Sequence, residues 1–249
     1  MTLLQTEKIC KSFQGRPIIR DISIHLEEGE LVSLIGLSGS GKTTLLNIMS
    51  GLTPPDSGRV LLSGKDITGR PGQIGYMLQK DLLLEHKRVI DNAALPLVIR
   101  GMGKAEARKQ ADPYFEQFGL EGTQRMYPCQ LSGGMRQRAA LLRTYLESRN
   151  VVLLDEPFSA LDMITKHQMH LWYLEMMKKI SLSSILITHD PDEALQLSDR
   201  IYLLTGTPGE IHHEIFIDVP REERNDFSLH PRYAEYKRQI RDILQPGKV

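Results

Sequence analysis

Three clusters in this 249-residue chain have the residue types and spacing for phosphate chemistry. The first is Gly36-Leu37-Ser38-Gly39-Ser40-Gly41-Lys42-Thr43, running on into Thr44, after the apolar run Leu31 to Ile35 and before Leu45 to Met49. The order predicts a strand, a phosphate-binding loop and a helix. Glycine tolerates backbone angles that other residues resist, so successive N–H groups can turn inward around a phosphate chain, and the helix N-terminus adds favourable partial charge. Lys42 would reach the β and γ phosphates and Thr43 would hold Mg²⁺. A glycine-rich turn that happens to open a helix is the bland alternative, and the match at every constrained position tells against it.

The second cluster is Val151-Val152-Leu153-Leu154-Asp155-Glu156, a buried-type strand ending in two carboxylates. An acid at such a strand tip can hold Mg²⁺ opposite the loop hydroxyl, which suits Asp155. Glu156, one residue on, could take a proton from an attacking water. Alone, the pair serves equally well as a cap on a strand-to-loop turn; the phosphate loop upstream favours the catalytic reading. The third cluster, Ser132-Gly133-Gly134 before a helical pattern, predicts an N-cap whose open N–H groups and dipole suit an anion. By spacing alone it could also be a plain helix start.

The elements that must position these groups alternate. Strands are expected at Leu3 to Cys10, Ile18 to Leu26, Leu31 to Ile35, Arg59 to Leu62, Ile74 to Leu78, Val151 to Leu154, Ser184 to Thr188 and Ile201 to Leu204. Helices are expected from the phosphate loop to about Gly51, then at Ile90 to Arg100, Lys104 to Phe118, Ser132 to Glu147, Ile164 to Lys179, Asp192 to Leu197 and Pro231 to Leu244. The pattern predicts an α/β fold with a mostly parallel core sheet and an N-terminal antiparallel β part. A helical block at about 80–148 is inserted into the domain spanning 1–217, and 218–249 forms a C-terminal tail with a terminal helix.

Composition narrows the class. Thirty-one basic residues balance thirty-one acidic ones, so no net field draws the chain to nucleic acid, and no such partner is expected. Cys10 and Cys129 lie far apart without metal-site spacing, which reads as two reduced thiols in a cytosolic protein. Glu7, Lys8 and Lys11 interrupt the N-terminal residues, so no secretory leader is expected. Apolar runs such as Ala93 to Ile99 fall well short of the roughly 20 residues that span a bilayer. His212-His213, His167 with His170, and Arg221 to Arg224 read as solvated surface groups, and Met163, Met169, Met176 and Met177 as packing.

A lone phosphate loop leaves kinases and GTPases open. Here the loop, the Leu131-Ser132-Gly133-Gly134 signature, the Asp155-Glu156 pair, Gln79 at a strand end, Ser159-Ala160-Leu161-Asp162 and His189 stand in one order. Over about residues 3 to 217 the chain therefore resembles the ATP-binding subunit of an ABC transporter, a P-loop NTPase. The resemblance implies that two copies pack head to tail, with ATP on one phosphate loop covered by Ser132, Gly133 and Gly134 of the other copy. It implies that Gln79 contacts Mg²⁺ and the lytic water, that His189 bonds the γ phosphate, and that Asp162 links the two sites. Phe13 stands where an aromatic stacks on adenine; a core role for it is equally compatible with the sequence.

The stretch Ile201 to Ile211, then Asp218-Val219-Pro220-Arg221, resembles the importer group serving nitrate, sulfonates, taurine and thiamine precursors. Lys80 to His86 departs from that group by lacking its proline and tryptophan. The resemblance implies a membrane-spanning permease, an extracytoplasmic substrate-binding protein and a place on the inner face of the cell membrane. An exporter subunit, or a soluble single-cassette ATPase such as an iron-sulfur assembly factor, is the alternative.

Overall fold

The computed structural model describes residues 1–148, 150–224 and 227–244. In chain order the strands and α-helices are β1 Thr2–Phe13, β2 Arg16–Ile22, β3 His25–Glu27, β4 Leu31–Gly36, α1 Lys42–Met49, β5 Ser57–Leu62, β6 Lys65–Asp66, β7 Gly75–Met77, α2 Val89–Ala93 and α3 Leu95–Ile99. They continue as α4 Lys104–Ala111, α5 Tyr114–Gln117, α6 Gly133–Glu147, β8 Val151–Asp155, α7 Met163–Ile180, β9 Ser183–Thr188, α8 Pro191–Leu197, β10 Arg200–Thr205, β11 Glu210–Phe216 and α9 Pro231–Leu244.

Every residue of β4, β8 and β9 is buried. Continuous apolar runs of this kind belong to parallel strands covered on both faces. They form the middle of a six-stranded sheet of order β11-β10-β4-β9-β8-β7, parallel throughout except for the antiparallel edge strand β11. This order sets the carboxyl ends of β4, β9, β8 and β7 side by side. The phosphate loop, His189, the Asp155-Glu156 pair and Gln79 each follow one of these ends, where open parallel sheets bind ligands.

The N-terminal sheet is antiparallel, of order β2-β1-β5-β6 with β3 also on β1. The strand expected over Ile18 to Leu26 is two strands, because each half meets a different part of β1: Ile22 pairs with Ile9 and Leu26 with Leu4. Between them Lys8 adopts φ 47° and donates its N–H to Ser23 Oγ at 2.9 Å instead of to the ladder.

The block inserted between β7 and β8 is helical, but two of its helices are broken. The one expected over Ile90 to Arg100 divides at Ala94 between α2 and α3, with Pro96 in the first turn of α3. The one expected over Lys104 to Phe118 divides at Asp112 and Pro113. Proline has no N–H for the helical ladder and crowds the preceding turn. Buried Asn92 braces the neighbouring loop, its amide donating to Leu84 O at 3.1 Å and its Oδ1 accepting Leu84 N–H at 2.7 Å.

At the C-terminal end Phe227 and Ile240 pack with Ala194, Leu195 and Ile201, so α9 closes over α8 and the sheet. Positions 225–226 and 245–249 of the expected tail lie outside the described residues.

Three of these readings change. His170 is buried, with Nε2 3.0 Å from Glu193 Oε1 and Nδ1 3.0 Å from Gln196 Oε1, because α8 packs over its face of α7. Arg224 is buried too, donating to Val219 O at 2.7 Å and Ser198 O at 2.5 Å. Met163 is 83% exposed, unlike buried Met169, Met176 and Met177, since it opens α7 just past the cap. His212 is exposed on β11, as expected, with Nε2 3.0 Å from Glu210 Oε2 on the same strand.

Candidate functional site: two half-sites on one chain

The loop after β4 is held in shape by its neighbours. Gly41 has φ 99°, and a Cβ there would lie 2.4 Å from Ile19 Cγ2 on β2. Gly209, in the β10–β11 turn, passes so close that a Cβ would lie 2.1 Å from Ser40 O. Both contacts demand glycine. The loop cleft is lined by Ile18, Ser38, Gly39, Gly41, Lys42, Thr43, Thr44, Asp155, Glu156 and His189. Ile18 and Gly209 were not among the site residues expected from sequence, since each meets the loop only through the folded sheet.

The polar groups of the loop fit a bound polyanion. Lys42 Nζ donates to Gly36 O at 2.8 Å and Leu37 O at 2.9 Å, which curls its side chain back under the loop. Burial draws its pKa below the usual lysine range, against the raising effect of Glu156 and Asp155. Ser40 Oγ is buried and finds no partner among the described residues. Thr43 Oγ1 lies 3.4 Å from Asp155 Oδ2, a pair of hard oxygens from two strand ends that suits Mg²⁺.

Asp155 and Glu156 divide the acidic work by environment. Burial first, and then the neighbouring Glu156 charge, hold Asp155 above the usual carboxylate range, opposed by hydrogen bonds from Thr43 and Tyr76 and by Lys42. Glu156 adopts φ 47°, a left-handed conformation uncommon outside glycine, and its N–H donates to Ile187 O at 3.0 Å. The turn brings its carboxylate between two strand ends: Oε1 is 3.1 Å from His189 Nδ1, and Oε2 accepts from Gln79 Nε2 at 3.3 Å. His189, Glu156 and Gln79 therefore meet at the ends of three neighbouring strands.

A second cleft is lined by Ser132, Gly133, Gly134, Met135, Arg138, Ala160, Leu161, Asp162, Thr165, Gln168 and Met169. None of these residues lines the phosphate-loop cleft. Ser132 caps α6, its Oγ accepting Met135 N–H at 3.3 Å, and the first-turn N–H groups open into the cleft. Asp162 caps α7 by accepting Ile164 N–H and Thr165 N–H, each at 3.1 Å. The hydrogen bond from Thr165 leads the effects that hold its carboxyl below the usual range.

Between the clefts runs a groove lined by Gln79 to Leu83, Arg136, Gln137, Glu156, Ser159, Ala160 and His189. Gln137, unremarked in the sequence, is buried there with Oε1 unpartnered among the described residues. Phe13 is 48% exposed at the end of β1, with Lys11 Nζ 5.4 Å from its ring centre. Its exposure removes the core reading. No helix among the described residues is long and apolar enough to cross a membrane.

A parallel sheet with a phosphate loop, an acidic strand end and a histidine at adjacent carboxyl ends defines a P-loop nucleoside triphosphatase, and the separate capped-helix cleft narrows the class. The ABC transporter family model matches residues 19–159, and the chain belongs to that family. It is 40% identical over 245 residues to the formylaminopyrimidine import ATP-binding protein ThiZ of Halalkalibacterium halodurans, covering 97% of this chain and 96% of that protein. It is 40% identical to the taurine import ATP-binding protein TauB of Pseudomonas aeruginosa, covering 89% and 86%. A dimeric structure of the bacterial ABC transporter cassette MJ0796 shares 27% identity and superposes with a TM-score of 0.73, covering 88% of this chain and 100% of that one.

Proposed function

We propose that this chain is the ATP-binding and hydrolysing subunit of an ABC importer, acting as a head-to-tail homodimer on the inner face of the cell membrane. One observation carries the reading: the phosphate-loop cleft and the Ser132 to Asp162 cleft are separate surfaces of one chain. A helix N-terminus with open N–H groups can take an anion, and the phosphate loop leaves one side of a bound nucleotide uncovered. A second copy supplies both. Each ATP then lies between the loop of one chain and Ser132, Gly133 and Gly134 of the other. Likeness to ThiZ and TauB, both import ATP-binding proteins, favours import over export or a soluble assembly role.

In this reading Phe13 stacks on the adenine. Lys42 exchanges its bonds to the loop carbonyls for the β and γ phosphates, and N–H groups from Ser38 to Thr44 surround them. Mg²⁺, when bound, neutralises phosphate charge; Thr43 and Asp155 would hold it, with Gln79 beside it. Glu156 accepts the proton of the attacking water, and His189 and Gln79 hold the Glu156 carboxylate in place. Asp162 and Ser132 share the second cleft, so the aspartate reports closure at the facing site.

The dimer couples to transport by differential affinity. ATP can switch a permease only because it binds the closed dimer better than the open one. Residues 79–100, a loop followed by α2 and α3, would carry that closure to a membrane-spanning permease, which in turn meets an extracytoplasmic substrate-binding protein. The test is Glu156→Gln: with Mg²⁺ and ATP it elutes as a dimer on size exclusion and releases almost no phosphate. A variant that stays monomeric under saturating ATP, or hydrolyses at the wild-type rate, contradicts the reading.

A further inference from the structure

Arg136 stands one turn into α6, behind the Ser132 cap, and its guanidinium reaches back across the groove. Nε and Nη2 donate to Asp81 Oδ2 and Oδ1 at 2.8 and 3.0 Å, and Nη2 also donates to Glu85 Oε1 at 2.7 Å. Two turns farther along the same helix, Arg143 donates to Leu82 O at 2.8 Å and Asp81 O at 2.5 Å. Asp81 lies two residues after Gln79, whose amide contacts Glu156.

A forked guanidinium on both oxygens of one carboxylate fixes orientation as well as distance, which a lone ammonium does not. The side chains of Arg136 and Asp81 are only 25% and 20% exposed, so solvent screens the pair weakly compared with an open surface bridge. The loop carrying Gln79 and the helix presenting Ser132 are thereby joined. Yet in the proposed dimer these two features face different nucleotides: Gln79 its own chain's ATP, Ser132 the partner's.

We infer that the Arg136–Asp81 pair is a positioning device that couples the two ATP sites of the dimer, by making each chain's Gln79 loop and signature helix move together. The inference rests on the head-to-tail reading above. A shift of Gln79 on binding its own ATP is carried through Asp81 and Arg136 to the N-terminus of α6, which adjusts how Ser132 to Gly134 meet the other ATP. Arg136 and Asp81 act through other residues and touch no reacting atom.

The experiment measures steady-state phosphate release against ATP concentration for the full chain, with Arg136→Gln, Asp81→Asn, the double variant and Arg136→Lys. Wild type is expected to be cooperative, and Arg136→Gln to lower the Hill coefficient clearly below the wild-type value, leaving only the cooperativity that ATP-driven dimer closure supplies. Asp81→Asn should do the same and the double variant no more, since the two residues act as one unit. Arg136→Lys should recover part of the cooperativity. Nucleotide affinity of the monomers should not change, which a merely destabilised fold would not preserve. A non-cooperative wild type, or Arg136→Gln with wild-type cooperativity, overturns the inference. A mixture of Lys42→Ala and Ser132→Arg chains separates the two claims: recovered activity there keeps the head-to-tail site even if the coupling fails.

Discussion

His189 Nδ1 lies 3.1 Å from Glu156 Oε1, joining the ends of two adjacent parallel strands at the proposed point of proton transfer. In the proposed mechanism the imidazole orients the carboxylate that meets the water. His189→Ala should therefore lower kcat about 100-fold, the lower range for losing a general base's function. ADP affinity should hold. Single-turnover phosphate release at saturating ATP measures this, and a variant within twofold of wild type would remove His189 from the mechanism.

Phe13 is exposed at a strand end, so shortening it costs the fold little. Stacking of an aromatic on a base is worth about 1–3 kcal/mol, so Phe13→Ala should weaken ATP binding by about tenfold or more. Thermal melting without nucleotide should stay close to wild type. Equilibrium titration with a fluorescent ATP analogue supplies the affinity; an unchanged value places the adenine elsewhere.

Burial, and then the neighbouring Glu156 charge, hold the Asp155 carboxyl above the usual carboxylate range. Its folded pKa lies above the unfolded one, so the native state binds more protons between the two values and stability falls as pH rises through that interval. The cost is absent below the unfolded carboxyl pKa and fully present above the raised folded value. Asp155→Asn should thus stabilise the nucleotide-free chain by about 1 kcal/mol at neutral pH, a common size for relieving a strained functional site. The gain should vanish toward acid pH. Denaturant melts across that range with a chelator present decide it, and a loss of stability at neutral pH would contradict the assignment.

The phosphate loop, the Asp155-Glu156 strand end and the Ser132 cap were legible because each is a local event: a few residues dictate a turn, a charge or a cap. Their meeting was not local. Gln79 and His189 come to Glu156 only because β7, β8 and β9 are neighbours in the sheet, an order that residue spacing did not show. Gly209 and Ile18 were missed for the same reason, since Ser40 and Gly41 meet them across a sheet-to-loop contact. Pro96 and Pro113 were visible helix breakers, but the apolar pattern continues past both and masks them. His170 shows the limit of a helical-face argument, because α8 supplies Glu193 and Gln196 to a side chain that its own helix would leave in water.

The head-to-tail composite site is tested most directly by complementation. Lys42→Ala disables a phosphate loop and Ser132→Arg blocks a signature, so each homodimer is inactive. Mixed and shown to form heterodimers, the two chains should regain ATP hydrolysis, because one intact loop then faces one intact signature. Heterodimers that form and hydrolyse nothing would contradict the account.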